Sequence, residues 1–304
     1  MKSNMKKILS LLLVLILVFA LAACGNTTED EKDPAQAGEI TVVSREEGSG
    51  TRGAFIELTG VEQKEKDEEG NEIKVDKTVE TAEFQNGTGN VINFVKGDDK
   101  AIGYISLGSV DTSVVKPLKI DGVDATEENV LSGDYKIQRP FLFVFKSEEE
   151  LSPAAKDFLA FALSKEGQEI AVESGYVTVD VNAKPYEKAA DAEGEVTLTG
   201  STSVKPLADK LIEKYAELND KVTVTIPAAT GSGAGIEEAS QGKNDIGMSS
   251  RDLKDSEAEK LQKKAIAMDG IAVIVSPENP VEGLSMESLQ GIYTGTITKW
   301  EDVK

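Results

Sequence analysis

Ser44-Arg45-Glu46-Glu47-Gly48-Ser49-Gly50-Thr51-Arg52 joins the apolar run Ile40-Thr41-Val42-Val43 to Gly53-Ala54-Phe55-Ile56-Glu57-Leu58. The run before it reads as a strand and the segment after it as the first turns of a helix. A strand, a loop of small residues and a helix start make an anion cradle. Free backbone N–H groups leave the helix N-terminus, and the macrodipole favours negative charge there. Gly48 and Gly50 let main chain approach a ligand, Ser49 and Thr51 add hydroxyl donors, and Arg45 adds a charged fork. Taken alone, the stretch is equally a turn whose Ser49 or Thr51 caps a helix.

The rest of the chain decides between these readings. Val196-Thr197-Leu198, Thr199-Gly200-Ser201-Thr202-Ser203 and the helix from Pro206 to Leu218 repeat the same device in the second half. The strand Val222–Ile226 ends at Gly231-Ser232-Gly233-Ala234-Gly235, and the strand Asp245–Met248 ends at Ser249-Ser250-Arg251. Further strands are expected at Ala101–Ile105, Leu118–Ile120, Phe141–Phe145, Ala265–Met268 and Ile271–Val275. Helices are expected from Pro153, from Lys165 to Ser174 and from Ser285 to Ile292. Gly60 to Lys77 reads as a surface hairpin or excursion, and Asn182 to Gly194 as a linker. Strands alternating with helices predict an α/β architecture with mostly parallel sheets, in which ligands bind at the carboxyl ends of strands. The hydroxyl- and glycine-rich loops each follow a strand, which favours an oxyanion site over chance.

Composition narrows the chemistry. The 304 residues carry a net charge of -21, 39% hydrophobic residues and no histidine. Without histidine the usual serine-hydrolase and Cys–His mechanisms are excluded, as is the commonest metal ligand. The acidic balance argues against nucleic acid as a partner. It also denies an anion any help from the overall field, so a site for one must work by local donors. A phosphate-transferring enzyme calls for a metal cluster or a nucleophile with its base, and the sequence offers neither. Asp245 and Asp269 are lone acids near strand ends, and neither a metal nor a cofactor is expected.

Lys2, Lys6 and Lys7 precede the apolar run Ile8 to Ala20, which leads to Leu21-Ala22-Ala23-Cys24. A basic start, a short apolar stretch and small residues before a cut make residues 1–23 a secretory signal. The single cysteine directly after them resembles a bacterial lipobox, in which the thiol carries a lipid; the alternative is an ordinary signal with an incidental Cys24. Residues 24–38 are polar and acidic and read as a flexible tether. The folded body is then expected at the extracytoplasmic face of the cell membrane, held by its lipid.

These motifs together resemble those of the periplasmic-type phosphate-binding proteins, the solute-binding lipoproteins of high-affinity phosphate ABC importers. The segments that carry the resemblance are Ser44–Arg52, Gly200–Val204, Gly231–Gly235, Asp245–Arg251, Met268–Val275 and Ile292–Trp300. The resemblance implies a two-lobe periplasmic-binding-protein-like fold of type II, with a hinge and a ligand cleft between lobes. It implies phosphate ligands Arg45, Ser49, Gly50 and Thr51 from one lobe, and Ser203, Val204 (through its N–H), Ser232 and Ser250 from the other. Arg45 is the expected sole formal positive charge on the ligand. The implied partners are inorganic phosphate and the membrane permease subunits of an ABC transporter. Another tetrahedral oxyanion, sulfate or molybdate, is the alternative ligand. An exported phosphate-handling enzyme and a lipoprotein that uses the fold without transport are more distant readings.

The sequence departs from the family pattern in two respects. Many members carry an aspartate where this chain has Ser250, and that carboxylate accepts the proton of bound phosphate; a serine can accept or donate. The order also differs: the half containing Gly200 ordinarily comes first, which implies a circular permutation. Residues near Glu39 and Lys304 should then lie close together. On this mapping residues 39–138 and 278–304 form the first lobe and 139–277 the second.

Overall fold

The computed structural model describes residues 38–303. The signal segment, Cys24 and the tether as far as residue 37 lie outside the described residues. The chain opens with β1 (Thr41–Arg45), α1 (Gly50–Leu58), the hairpin strands β2 (Glu62–Lys66) and β3 (Glu72–Asp76), and β4 (Glu83–Gln85). Next come α2 (Thr88–Gly97), β5 (Ala101–Ser106), β6 (Lys116–Pro117), β7 (Lys119–Ile120) and α3 (Glu127–Ser132). The middle holds β8 (Gln138–Phe145), α4 (Pro153–Leu163) and α5 (Lys165–Glu173). The remainder runs β9 (Gly194–Gly200), α6 (Lys205–Leu218), β10 (Val222–Ala228), α7 (Ser232–Gln241), β11 (Ile246–Ser249) and α8 (Asp255–Ala258). It ends with β12 (Gln262–Val275), β13 (Gly283–Leu284) and α9 (Met286–Tyr293).

The main sheet has the order β10-β9-β11-β8-β12-β5-β1-β4, with β6 also on β12. Its flanks are parallel: β9 pairs with β10 and β11, and β1 with β4 and β5. Its centre is not, because β8 and β12 run antiparallel to their neighbours. The expected strands Ala265–Met268 and Ile271–Val275 are one 14-residue strand. Asp269-Gly270 has the composition of a turn, but the Asp269 carboxylate is occupied by Arg139 and Ser106 and the backbone stays extended. The first part of β12, up to Gly270, pairs with β8, and from Ile271 it pairs with β5.

Two large apolar cores flank that change of partner. One gathers Phe141, Phe143, Phe158, Leu198, Leu207 and Leu211. The other gathers Val42, Phe55, Tyr104, Ile271, Val273, Leu289, Tyr293 and Trp300. In the second, the Phe55 and Tyr104 rings stack at 3.9 Å, with Tyr293 edge-on to Phe55 at 4.7 Å. The Tyr293 hydroxyl donates to the Val43 carbonyl at 3.1 Å, which ties this cluster to β1. The ends of the described chain meet: Ile40 N–H donates to Thr298 O at 2.8 Å and Gly38 N–H to Glu301 Oε2 at 2.9 Å. This is the proximity expected of residues near Glu39 and the C-terminus.

The linker from Asn182 to Gly194 is held by Lys165 N–H on the Lys184 carbonyl, by Glu166 on Tyr186 N–H and by one buried carboxylate. Asp157, in α4, accepts from the hydroxyls of Tyr186 and Tyr215, both at 2.6 Å, from Ala189 N–H at 2.8 Å and from Asn219 Nδ2 at 3.2 Å. Burial alone would push this carboxyl up, but the four bonds outweigh it and hold it below the usual range. Its contribution is therefore present at neutral pH and is lost as pH falls through the depressed value. Asp157→Ala strands those donors and is expected to cost about 3 kcal/mol in urea unfolding; a loss below about 1 kcal/mol would show that the linker is held by other contacts.

Candidate functional site

Four strands deliver the site. β1, β9, β10 and β11 each end at a loop of small or hydroxyl-bearing residues, and three of these loops lead into α1, α6 and α7. Ser49 caps α1, its Oγ accepting Arg52 N–H at 3.3 Å. The capped-turn reading of Ser49 therefore holds, and capping uses only its acceptor side. Gly48 adopts φ 80°, and its carbonyl accepts Gly233 N–H at 2.9 Å, a main-chain bond between the α1 and α7 loops. Gly50 lies at the closest approach: a Cβ there would stand 2.2 Å from Ser232 Oγ and 2.8 Å from Ser250 Oγ.

Arg45 closes β1 and is 1% exposed. Tyr104 fixes its backbone, the phenol oxygen accepting Arg45 N–H at 3.2 Å and sharing a hydrogen bond with Ser44 Oγ at 2.8 Å. Burial pushes the Tyr104 phenol up to about 12, so it is neutral at physiological pH. One edge of the Arg45 guanidinium is committed to Glu46: Nε to Oε2 and Nη2 to Oε1, both at 2.7 Å. Nη2 also donates to Thr202 Oγ1 at 3.0 Å, and Nη1 reaches toward Thr51 Oγ1 at 3.5 Å. Burial alone would raise the Glu46 carboxyl. The bonds and charge of Arg45 and the N–H of Gly87 prevail and hold it below the usual range. Glu46 thus remains ionised and orients the arginine.

The hydroxyls form a connected set across the molecule. Thr51 Oγ1 lies 2.9 Å from Ser203 Oγ. Ser201 Oγ accepts the N–H groups of Ser203 at 3.2 Å and Val204 at 3.3 Å, and donates to Ser250 Oγ at 3.0 Å. Ser250 N–H donates to Ser232 Oγ at 3.0 Å, and the two hydroxyls are 3.3 Å apart. Arg45, Ser49, Thr51, Ser203, Val204, Ser232 and Ser250 are all buried, and the fold brings them together around Gly50. The Val204 N–H differs from the expectation in one detail, because Ser201 Oγ engages it. Arg251 turns away, bonding Glu257 through both terminal nitrogens at 2.8 Å. A cavity of about 370 Å³ opens beside Ser49, with Arg52, Arg251 and Lys254 in its wall.

Sequence reasoning passed over Ser201, Thr202, Thr88 and Glu46. The Ser-Thr-Ser run marked the first two as members of the loop without ranking them above Ser203. Thr88 lies at the start of α2, its Oγ1 3.5 Å from Ser203 Oγ, and the small-residue run Asn86-Gly87-Thr88-Gly89-Asn90 is the sequence feature that marks it. The set comprises neutral hydroxyls, backbone N–H groups and a guanidinium held by a carboxylate. Among the described residues no group of three or more His, Cys, Asp or Glu could hold a metal ion. The arrangement can hold a compact oxyanion by directed hydrogen bonds, and it contains no paired nucleophile and base.

Comparison with known proteins bears on the same point. A family model described as a PBP superfamily domain matches residues 6–166 and 186–304. Phosphate-binding protein PstS 2 of Streptococcus pneumoniae serotype 4 is 42% identical over 299 residues, 98% of this chain and 99% of that one. Phosphate-binding protein PstS 2 of Streptococcus agalactiae serotype V is 45% identical over 300 residues, 98% of each chain. A crystal structure of a phosphate-binding protein of a phosphate ABC transporter from S. pneumoniae TIGR4 superimposes with a TM-score of 0.69 at 43% identity, over 88% of this chain and 100% of that one. With its α/β fold and full-length relatives, the chain belongs to the PBP superfamily and, within it, to the PstS family of phosphate-binding proteins of phosphate ABC transporters.

Proposed function

We propose that this protein binds inorganic phosphate outside the cytoplasm and delivers it to the permease subunits of an ABC transporter. Like its family, it is a transport protein and not an enzyme. The observation that carries the reading is the convergence of Arg45 and Thr51 with Ser203, Ser232 and Ser250 at one buried point. Arg45, Ser49, Gly50 and Thr51 are the phosphate ligands from one side, and Ser203, Val204, Ser232 and Ser250 those from the other. The Val204 N–H serves the ligand once its bond to Ser201 Oγ is shared or released. Dehydrated phosphate is held here by local donors, against the repulsion of a chain carrying -21.

Two lobes close on that point. Residues 39–138 and 278–304 belong to one and most of 139–277 to the other. The proposed division is drawn at Gly270 and not at 277, since Ile271, Val273 and Val275 pack in the core of the first lobe. Cys24 carries the lipid that anchors the chain to the membrane, with residues 24–38 as tether. The meeting of Gly38 with Trp300 and Glu301 supports a circularly permuted arrangement, since ends brought together can be rejoined elsewhere.

Ser250 keeps a second reading in view. A serine hydroxyl can turn to donate, so Ser250 does not supply the fixed acceptor that would reject fully ionised sulfate. Isothermal titration with phosphate, sulfate and molybdate separates these ligands. Phosphate is expected to release heat at one site per chain and to raise Tm at saturation by mass action. Absence of heat with phosphate, together with heat from sulfate or molybdate, moves the assignment to the second reading.

A further inference from the structure

Arg139 and Asp269 form a buried ion pair outside the site, with Nε and Nη2 donating to Asp269 Oδ2 at 3.1 and 3.0 Å. Both side chains are at most 1% exposed. They are direct cross-strand partners on β8 and β12, one residue before β12 leaves β8. From Ile271 the strand pairs with β5, and Ile271 stands opposite Ser106. Ser106 Oγ donates to Asp269 Oδ1 at 2.9 Å. One carboxylate is thus bonded to both strands that flank β12, at the residue where the sheet passes from one core to the other. Such a pair is a poor way to gain stability, because desolvating two charges costs about what their attraction returns. Arg139 Nη1 is buried without a hydrogen-bond partner, which adds to that cost. Its position therefore calls for a reason other than packing.

We infer that Asp269 is the pivot of the molecule: by holding Arg139 and Ser106 at once it fixes the angle at which the two halves meet and so sets how readily they close on the ligand. Asp269 does not touch the ligand and is a positioning residue. The inference rests on the two-lobe reading above. The pair also stands near the site electrically, since the charge of Arg45 is among the influences that lower the Arg139 guanidinium, after burial.

Burial pushes the Asp269 carboxyl up to about 6, against the pull of Arg139 and the Ser106 bond. The charged and titratable groups around it are Arg139 from β8, Tyr135 just before β8 and Tyr176 after α5. Burial raises both phenols, which stay neutral. A raised carboxyl favours the fold below its unfolded value, and that contribution is lost as pH rises through about 6. Acidification therefore strengthens the fold through this group while it removes the charge that holds Arg139, so stability and affinity change in opposite directions.

The test uses the full chain and the variants Asp269→Asn and Ser106→Ala. In small-angle scattering without ligand, Asp269→Asn is expected to be more open than wild type. In titration and stopped-flow release it binds phosphate about 10-fold more weakly, chiefly through faster release. Ser106→Ala keeps the ion pair and loses about fivefold, the effect of one hydrogen bond. Between about pH 7.5 and about pH 5 wild type loses affinity beyond the loss seen in Asp269→Asn, which shares the titration of phosphate itself. Unchanged scattering and unchanged release in both variants overturns the inference; if Asp269→Asn does not fold, Ser106→Ala decides alone. A wild type that gives no heat with phosphate overturns the proposed function instead, and the pivot is then judged on the ligand-free scattering.

Discussion

Arg45→Ala is expected to weaken phosphate binding by about 30-fold to about 3,000-fold in isothermal titration, with the fold retained. The side chain is buried and pre-oriented, with two of its nitrogens held by Glu46 and Nη1 toward Thr51. Truncating one member of a buried, hydrogen-bonded charge pair costs about 2–5 kcal/mol, and each 1.4 kcal/mol is about tenfold in affinity. The variant loses more than an attraction, because Glu46 remains beside the ligand without its counter-charge and now repels it. Arg45→Ala with Glu46→Gln should therefore recover part of the loss. Unchanged affinity in the single variant shows that the ligand does not meet Arg45, and the site must be sought elsewhere.

Gly50→Ala is the second large effect, and it acts through closure. The added Cβ would lie 2.2 Å from Ser232 Oγ, a separation no relaxed structure tolerates. Its obstacle belongs to the α7 loop, so the clash can be relieved by keeping the halves apart. Overpacking of this kind costs about 1–3 kcal/mol, here charged to the closed state. Phosphate affinity is expected to fall about 10- to 100-fold, while the Tm of the ligand-free protein moves by no more than about 3 °C. A large fall in Tm without ligand would mean that the two loops are pressed together in every state, and the idea of closure would fail.

Much of this was legible in the chain because periodicity and loop chemistry are local. The strand into Ser44–Arg52, the helix after it and the hydroxyl loops at 200–203, 231–233 and 249–250 all stand where their residues put them. The antiparallel centre of the sheet was not legible. Asp269-Gly270 has the composition of a turn, and partners 130 and 163 residues away, Arg139 and Ser106, hold it in the extended strand. Ser201 and Thr88 were missed for a related reason. A hydroxyl in a loop rich in hydroxyls carries no local sign of which way it points; here the direction is set by residues distant in sequence, Ser203 for Thr88 and Ser250 for Ser201. Glu46 was passed over because adjacent opposite charges on an exposed loop ordinarily mean little. Burial of Arg45 makes this pair an exception.

The change of partner along β12 also governs the order in which the molecule can assemble. Residues 41–137 are synthesised first, yet their core contains Ile271, Val273, Leu289, Ile292, Tyr293 and Trp300 from the far end of the chain. Phe55 and Tyr104 must wait for Tyr293 before their ring cluster is complete. The core around Phe141, Phe158 and Leu198 needs nothing beyond Ala267. The middle of the chain can therefore reach its final form while residues 41–137 are still waiting for theirs, so the part of the described chain made first is the last to complete its core.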